Sequence, residues 1–108
     1  MLKTPVKNLY EALIVIKPNL NEDGLDKNIT QIESSIKNYG GNIVQMDEPS
    51  KKRLTHKING FKEGYYLLVV FNSSSEVPNL LKRSLSISDD VIRHIIVKKE
   101  TAKKESIK

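Results

Sequence analysis

The stretch KKRLTHKINGFKEGYYLLVVF, residues 51–71, decides the fold of this chain. It begins with a basic segment, passes Asn59-Gly60 and Gly64, and ends in an apolar run from Tyr65 to Phe71. An Asn-Gly pair between two strand-like segments is the strongest short-range signal of a β-hairpin. The stretch therefore predicts a hairpin that turns at Asn59-Gly60 and Gly64. One strand is cationic and is here called the basic arm (residues 51–58); the other is apolar on both faces and hence central.

Three further segments have strand character. Residues 9–16 form a short, almost continuous apolar run that ends at Lys17-Pro18, which is typical of a second central strand. From Asn42 the pattern has a period of two and continues through Pro49 into the basic arm, so it predicts an edge strand that bends near Pro49-Ser50, because proline donates no ladder hydrogen bond. Residues 91–97 are the last predicted strand.

Two segments have the helical period. In the first, Asn21 is the predicted N-cap, Gly40-Gly41 the predicted end, and the apolar stripe consists of Leu25, Ile29, Ile32, Ile36 and Tyr39. The second helix is expected to begin near Glu76 with Ser75 as its cap, because this start keeps Pro78 in the first turn. Its predicted inward residues are Val77, Leu80, Leu81 and Leu85.

The element order is strand, helix, strand, strand, helix, strand. Short connections and right-handed crossovers restrict the topologies that this order allows. The predicted fold is α+β, the ferredoxin-like split βαβ sandwich. The predicted sheet has four antiparallel strands in the order 4-1-3-2, with both helices on one face. The predicted organisation is an N-terminal extension (1–8), a ferredoxin-like domain (9–97) and a basic tail (98–108) that is expected to be disordered.

Composition limits the functional classes. The chain has 108 residues, enough for one domain, no cysteine, and no apolar run of the roughly 18 residues that cross a bilayer. These features predict a soluble cytosolic protein without disulfides or membrane segments. The net charge is +5, of which the tail supplies +3 through five lysines and two glutamates. This asymmetry favours an anionic partner, most commonly nucleic acid, although a tail that only improves solubility remains the alternative.

No constellation for catalysis or metal binding is found. The two histidines, His56 and His94, have no cysteine or paired acid at ligand spacing, and His94 is expected to be half-buried packing. Asp89 and Asp90 are expected to act at a helix end. Gly40-Gly41 ends a helix instead of opening one, so it is not a phosphate loop. We expect no catalytic residue, no metal, no cofactor and no small-molecule substrate.

Two helices cover only one face of such a sheet, and the central strands are apolar on both. The residues with the parity of Glu11 are expected to face outward and to form an exposed apolar patch that binds a protein. Stacked RNA bases fit less well because aliphatic residues dominate there; alternatively, small sheets tolerate some exposed aliphatics. The basic arm has the cation density of an RNA-backbone site, or else only protects a sheet edge. The predicted RNA-binding residues are Lys51, Lys52, Arg53, His56, Lys57 and Arg93; the predicted protein-partner residues are Leu13, Tyr66, Leu68, Val70, Ile95, Lys98 and Lys99.

Five segments, residues 9–20, 38–43, 52–54, 63–66 and 89–94, resemble in order and spacing the bacterial small-subunit ribosomal protein six family over about residues 9–99. The resemblance implies the ferredoxin-like fold, a structural role without enzymatic activity, binding to the central domain of small-subunit ribosomal RNA, and pairing with small-subunit ribosomal protein eighteen. Family members usually continue the arm with Leu-Ala-Tyr-Pro-Ile; here Arg53 is retained but Thr55-His56-Lys57 follows Leu54.

The host ribosome is expected to be cytoplasmic, with an organellar ribosome as the alternative. The competing hypothesis from another class is a free-standing ferredoxin-like regulatory or protein-interaction domain that dimerises through the open side of the sheet. Sedimentation discriminates the two, because a ribosomal protein travels with the small subunit.

Overall fold

The helices and strands follow the predicted order, with one strand more than expected. The computed structural model describes residues 8–99, so most of the predicted extension and tail lies outside the described residues. The elements are β1 (Asn8–Ile16), α1 (Glu22–Asn38), β2 (Asn42–Met46), β3 (Ser50–Ile58), β4 (Phe61–Ser73), α2 (Val77–Ser86) and β5 (Val91–Lys98). β1 begins one residue before the predicted strand, and β5 ends one residue after it.

All described strands form one antiparallel sheet. Its order is β2-β4-β1-β5, and β3 pairs with the other end of β4. The predicted edge strand is thus present as two strands, β2 and β3, because the pairing is interrupted between Met46 and Ser50, where Pro49 lies. Counted as one bent strand, β2 and β3 occupy the predicted edge position, so the predicted ferredoxin-like architecture is confirmed.

The core lies between the sheet and the two helices. β1 and β4 contribute alternate residues that are completely buried, among them Ile14, Ile16, Leu67, Val69 and Phe71. The helices cover them with Ile36 of α1 and with Val77 and Leu81 of α2, which are equally buried. Every second residue of each strand packs in this core, and the residues between them lie on the opposite side of the sheet.

α1 has the predicted stripe and both predicted ends. The Asn21 side-chain oxygen accepts a hydrogen bond of 2.8 Å from the backbone N–H of Gly24, which satisfies a donor of the first turn. At the other end, Gly40 has a φ of 101°, the left-handed conformation that glycine adopts most easily. The stripe also contains a buried polar residue that the apolar pattern did not include, Asn28.

α2 differs from the prediction in two respects. The residue at the N-cap is Glu76, not Ser75, and no side chain of residues 8–99 caps the start of the helix. The first turn is entered through a backbone turn, with Val77 N–H donating to the Ser74 carbonyl at 3.3 Å. Leu80, predicted to face inward, is 37% exposed. The inward stripe instead has a spacing of four from Val77 through Leu81 to Leu85 and places Leu80 at its margin.

The predicted alternation of β2 is interrupted by a bulge. Ile43 pairs with Phe71 and Gln45 with Val70, so Val44 is an extra residue and is 55% exposed. Because the bulge shifts the parity, Ile43 and Met46 both pack against the core although they are three positions apart.

Gly64 does not form part of the hairpin turn, contrary to the sequence prediction. The turn consists of Asn59 and Gly60, both with positive φ, and β4 already begins at Phe61. Gly64 is a buried position within β4, and a Cβ atom there would lie 2.6 Å from Cγ1 of Val15 and 3.1 Å from the carbonyl oxygen of Ile16. Glycine is therefore required because the backbones of β4 and β1 and the Val15 side chain leave no room for a methyl group.

We expect Gly64→Ala to lower the free energy of unfolding by about 1–3 kcal/mol, the usual cost of overpacking a filled site. Urea unfolding of the full chain measures the loss. In a Val15→Ala background the penalty should shrink, because the methyl group that the new Cβ meets is gone. A fully additive double variant would show that contact with Val15 is not the cause.

Candidate nucleic-acid and protein interface

The face of the sheet opposite the helices is formed by three cross-strand rows, here called the open face. Strand register places side chains of one row on the same side of the sheet. The rows are Val97–Glu11–Val70, Ile95–Leu13–Leu68 and Arg93–Val15–Tyr66. The predicted apolar patch residues are thus brought together on this face.

Exposure differs along these rows. Ile95 and Val97, on the edge strand β5, are 45% and 49% exposed, and Leu13, Tyr66 and Leu68 are half-buried. Val70 lies on the predicted face, but the expectation that it is exposed is wrong: it is 8% exposed, because it is flanked in register by Glu11 on β1 and Gln45 on β2. Val97 was not among the predicted residues, although its parity with Ile95 was a signal that could have found it.

The two lysines at the end of β5 lie on different sides of the sheet. Lys99 reaches the open face, where its Nζ lies 3.6 Å from Oε1 of Glu11. Lys98 is opposite Tyr10, a core residue, and therefore has the parity of the helix side. The structure consequently separates Lys98 from the other predicted protein-partner residues.

The cations of the basic arm are exposed but do not share one face. Lys51 is opposite Tyr65 and Arg53 is opposite Glu63, whereas Lys52 is opposite Gly64, which has the parity of the open face. Each of the two lysines lies over an aromatic ring: Lys51 Nζ is 5.5 Å from the ring centre of Tyr65, and Lys52 Nζ is 5.6 Å from that of Tyr66. The arm therefore presents positive charge on both sides of a sheet edge.

A bulge in β3, here called the arm bulge (residues 54–57), was not predicted. Arg53 pairs with Glu63 and Ile58 with Phe61, so four residues of β3 face the single residue Lys62 of β4. Bulges bend a strand and change the direction of its side chains. Period-two alternation continues through this segment in the sequence, so the pattern contains no signal for the extra residues.

The arm bulge and the open face enclose a small cavity, here called the slot, of about 130 Å³. Its floor is aliphatic and includes Leu13, Val15 and Ile95, while Tyr66 and Arg93 complete the sheet side. Thr55 and His56 line it from the arm bulge. Residues predicted to bind RNA (His56, Arg93) and residues predicted to bind protein thus meet at one place, so the basic arm and the open face form one continuous surface.

A larger groove of about 280 Å³ lies between α1 and α2, on the other side of the molecule. Its polar lining consists of serine, asparagine and glutamine side chains, such as Gln31, Ser35 and Ser84, and no charged group of residues 8–99 lines it. Recognition of a charged ligand needs opposite charge. The slot is smaller, but Arg93 lies in its lining, so it is the better candidate site for an anionic ligand.

Asp90 was expected to act at a helix end, but it joins Lys17, the residue after β1, to Asn28 of α1 instead. Its carboxylate accepts a hydrogen bond of 2.8 Å from the Asn28 amide and lies 2.9 Å from Lys17 Nζ. The hydrogen bond from Asn28 and then the interaction with Lys17 hold the pKa of Asp90 below its ordinary value. These partners explain Asp90 structurally, without a catalytic function.

His94 is half-buried on the helix side of the sheet, as predicted. Its Nε2 lies 3.3 Å from the Ser86 hydroxyl, and its buried Nδ1 has no hydrogen-bond partner among residues 8–99. Burial, with a smaller contribution from the charge of Lys82, lowers the pKa of His94 below 6.5. Neutral imidazole is therefore the form that the fold prefers.

We expect stability to depend on pH in two windows. Because the folded chain binds a proton at His94 less readily than the unfolded chain, the free energy of unfolding should fall as the pH decreases below 6.5 towards the lowered pKa. The stability due to ionised Asp90 is present above pH 3.8 and should be lost as the pH falls through its lowered pKa. Urea midpoints measured from pH 8 to 3 test both windows. His94→Leu should remove the first loss; a loss that persists in this variant would contradict the assignment.

Neither a metal-binding cluster nor a membrane-spanning helix is found in residues 8–99. No group of three or more histidine, cysteine, aspartate or glutamate side chains is arranged to hold a metal ion. Within the same residues, neither helix is long and apolar enough to span a membrane.

Comparison with known proteins identifies relatives of the chain. Residues 9–98 match a family model described as Ribosomal protein S6. A small ribosomal subunit protein bS6 from Clostridium acetobutylicum is 39% identical over 93 residues, which cover 86% of this chain and 98% of the relative. A bS6 protein from Heliobacterium modesticaldum is 36% identical over 91 residues, with coverages of 84% and 95%.

Among solved structures, the crystal structure of 30S ribosomal protein S6 from Thermotoga maritima superposes with a TM-score of 0.87 at 18% identity, covering 94% of this chain and 96% of that one. The C-terminal domain of MgtC from Mycobacterium tuberculosis has a TM-score of 0.58 at 12% identity, with coverages of 94% and 97%. At such identities these two likenesses show the shared fold alone.

Proposed function

Because this chain belongs to the ribosomal protein S6 family of the small ribosomal subunit, we propose that it binds small-subunit ribosomal RNA together with small-subunit ribosomal protein eighteen. The observation that carries the proposal is the continuity of a cationic arm with an apolar face that no helix among residues 8–99 covers. An RNA and a protein that touch each other can both be bound by such a surface.

The basic arm is the proposed RNA contact. Its three consecutive cations, Lys51, Lys52 and Arg53, are exposed, and the β3 edge that carries them has no other strand beside it among residues 8–99. Phosphate binding requires accessible positive charge but does not require that all cations lie on one side of the strand. Arginine adds bidentate hydrogen bonding. Lys57 of the arm bulge and Arg93 across the slot extend the positive surface.

The open face is the proposed contact for protein eighteen. Ile95 and Val97 lie at its margin and are about half exposed, and the neighbouring Leu13 and Leu68 are half-buried. Exposed apolar patches on small domains usually mark a partner surface. The salt bridge between Lys99 and Glu11 borders this area and supplies polar groups for its rim.

The family consists of ribosomal structural proteins, so we propose no catalytic activity. The place of action is the ribosome in the cytoplasm. A homodimer formed through the open face is the alternative from another functional class, and sedimentation velocity of the purified chain measures it directly.

Binding to isolated small-subunit RNA, measured with and without protein eighteen, tests the proposal. We expect weak binding by this chain alone and tighter binding when protein eighteen is present, because each protein then contributes part of one RNA-binding surface. A stable homodimer that does not bind either partner would overturn the proposal.

A further inference from the structure

We propose that the slot between the arm bulge and the open face holds a single unpaired nucleobase of the RNA, with the phosphates on its two sides bound by the basic arm and by Arg93. The inference rests on the proposed function, since it specifies how the RNA is held. It adds a base contact to a site that would otherwise bind only the phosphates of the RNA.

The side chains around the slot fit a planar aromatic ligand. Besides Thr55 and five aliphatic residues (Leu13, Val15, Leu54, Ile58 and Ile95), the lining contains three planar π systems, the phenol of Tyr66, the imidazole of His56 and the guanidinium of Arg93. Unpaired RNA bases are typically bound by stacking on aromatic side chains or arginine planes, with polar groups at their edges. The aliphatic floor of Leu13 and Val15 excludes water from the base.

The charges around the slot are complementary to a nucleotide. Arg93 lines the slot on the β5 side, and on the arm side Lys52, outside the lining, has its Nζ over the Tyr66 ring. The acid in the open-face rows, Glu11, is one row beyond Leu13 and lies close to Lys99. A ligand that is apolar at its centre and anionic on both sides meets these requirements, and a nucleotide within an RNA strand has this character.

The slot divides the open face between two ligands. At about 130 Å³ it is too small for a helix or strand and accommodates one ring or one side chain. Leu68, which does not line the slot, and the row of Val97, Glu11 and Val70 lie away from it and remain available for protein. An aliphatic side chain of a protein would fill the floor but leave Arg93, the cation in the slot lining, without an anion. Charge therefore favours the base.

Photo-crosslinking tests the inference. The full chain is irradiated with a single-stranded ten-nucleotide RNA that contains 5-iodouridine, and the crosslinked residue is identified by mass spectrometry. We expect the crosslink at Tyr66 or His56. A crosslink confined to residues outside the slot would overturn the inference.

Two slot variants, His56→Ala and Tyr66→Leu, separate base contacts from phosphate contacts. Each should weaken single-strand binding about five-fold or more, the range expected for loss of one stacking contact. Their salt dependence should not change, because no phosphate contact is removed. Lys51→Gln, on the other side of the arm, is the matched control: it should lower affinity for single-stranded and duplex RNA alike and reduce the salt slope by about one.

The outcomes distinguish this inference from the proposed function. If both slot variants bind single-stranded RNA like the unaltered chain while Lys51→Gln weakens binding, the slot inference fails and the arm assignment stands. If protein eighteen removes the crosslink and the slot variants impair only pairing with that protein, the slot is a protein site and the inference also fails. If no variant affects RNA binding, the slot inference and the proposed function both fail.

Discussion

Replacing Lys51, Lys52 and Arg53 together with serine is expected to weaken binding of small-subunit RNA by about one to two orders of magnitude at low salt, and to reduce the slope of log affinity against log salt by about two to three. Each cation that neutralises a phosphate releases counterions, so the number of such contacts sets the slope of log affinity against log salt. All three side chains are exposed, and the fold should not change. Filter binding at several salt concentrations measures both quantities.

The matched control removes the same charge from the two helices. Lys27, Lys82 and Arg83 are also exposed, and replacing them with serine lowers the net charge by the same amount. This control should leave the slope almost unaltered if the arm is the RNA contact. Equal losses in the two triple variants would mean that RNA responds only to overall charge, and an unaltered slope in the arm variant would mean that the arm merely protects a sheet edge.

Leu68→Asp is expected to weaken pairing with protein eighteen by about thirty-fold or more, because it places an uncompensated charge within a desolvated apolar interface. Leu68 lies in the middle row of the open face, next to Leu13, and is already half-buried. Isothermal titration with purified protein eighteen measures the pairing. Circular dichroism and thermal melting of the variant establish that the monomer is folded.

Leu80→Asp provides the control for the second prediction. Leu80 is 37% exposed on α2, so the same substitution is made on the opposite side of the molecule. Pairing should persist in this variant. Val70 is a poorer choice for the test, since it is only 8% exposed and a charge there would also destabilise the domain. If Leu68→Asp pairs normally while folded, the open face is not the partner surface.

Much of the architecture could be predicted from the sequence because local and long-range signals agree. The apolar β1 run, the Asn21 cap and the left-handed Gly40 each have a simple local cause, and all three are found as predicted. Given two central strands and one edge strand with a proline, few topologies remain. The split of the edge strand into β2 and β3 follows from Pro49.

The missed features depend on tertiary packing or on residues inserted into the ladder. The bulge at Val44 and the arm bulge shift strand parity, and the residue pattern does not indicate where an extra residue enters. The buried position of Gly64 reflects its contact with Val15, which is distant in sequence. The slot follows from the arm bulge, so residues assigned separately to RNA and to protein could not be recognised as neighbours.

Lysine reactivity in intact small subunits tests the central proposal most directly, that the basic arm is the buried RNA contact and the outer surface of the two helices is not. Amine-labelling rates are compared by mass spectrometry between the free chain and the chain in the subunit. Lys51, Lys52 and Lys57 should be protected in the subunit, whereas Lys27 and Lys82, exposed on the helix side, should react at nearly the free rate. Unprotected arm lysines together with protected helix lysines would contradict the proposal.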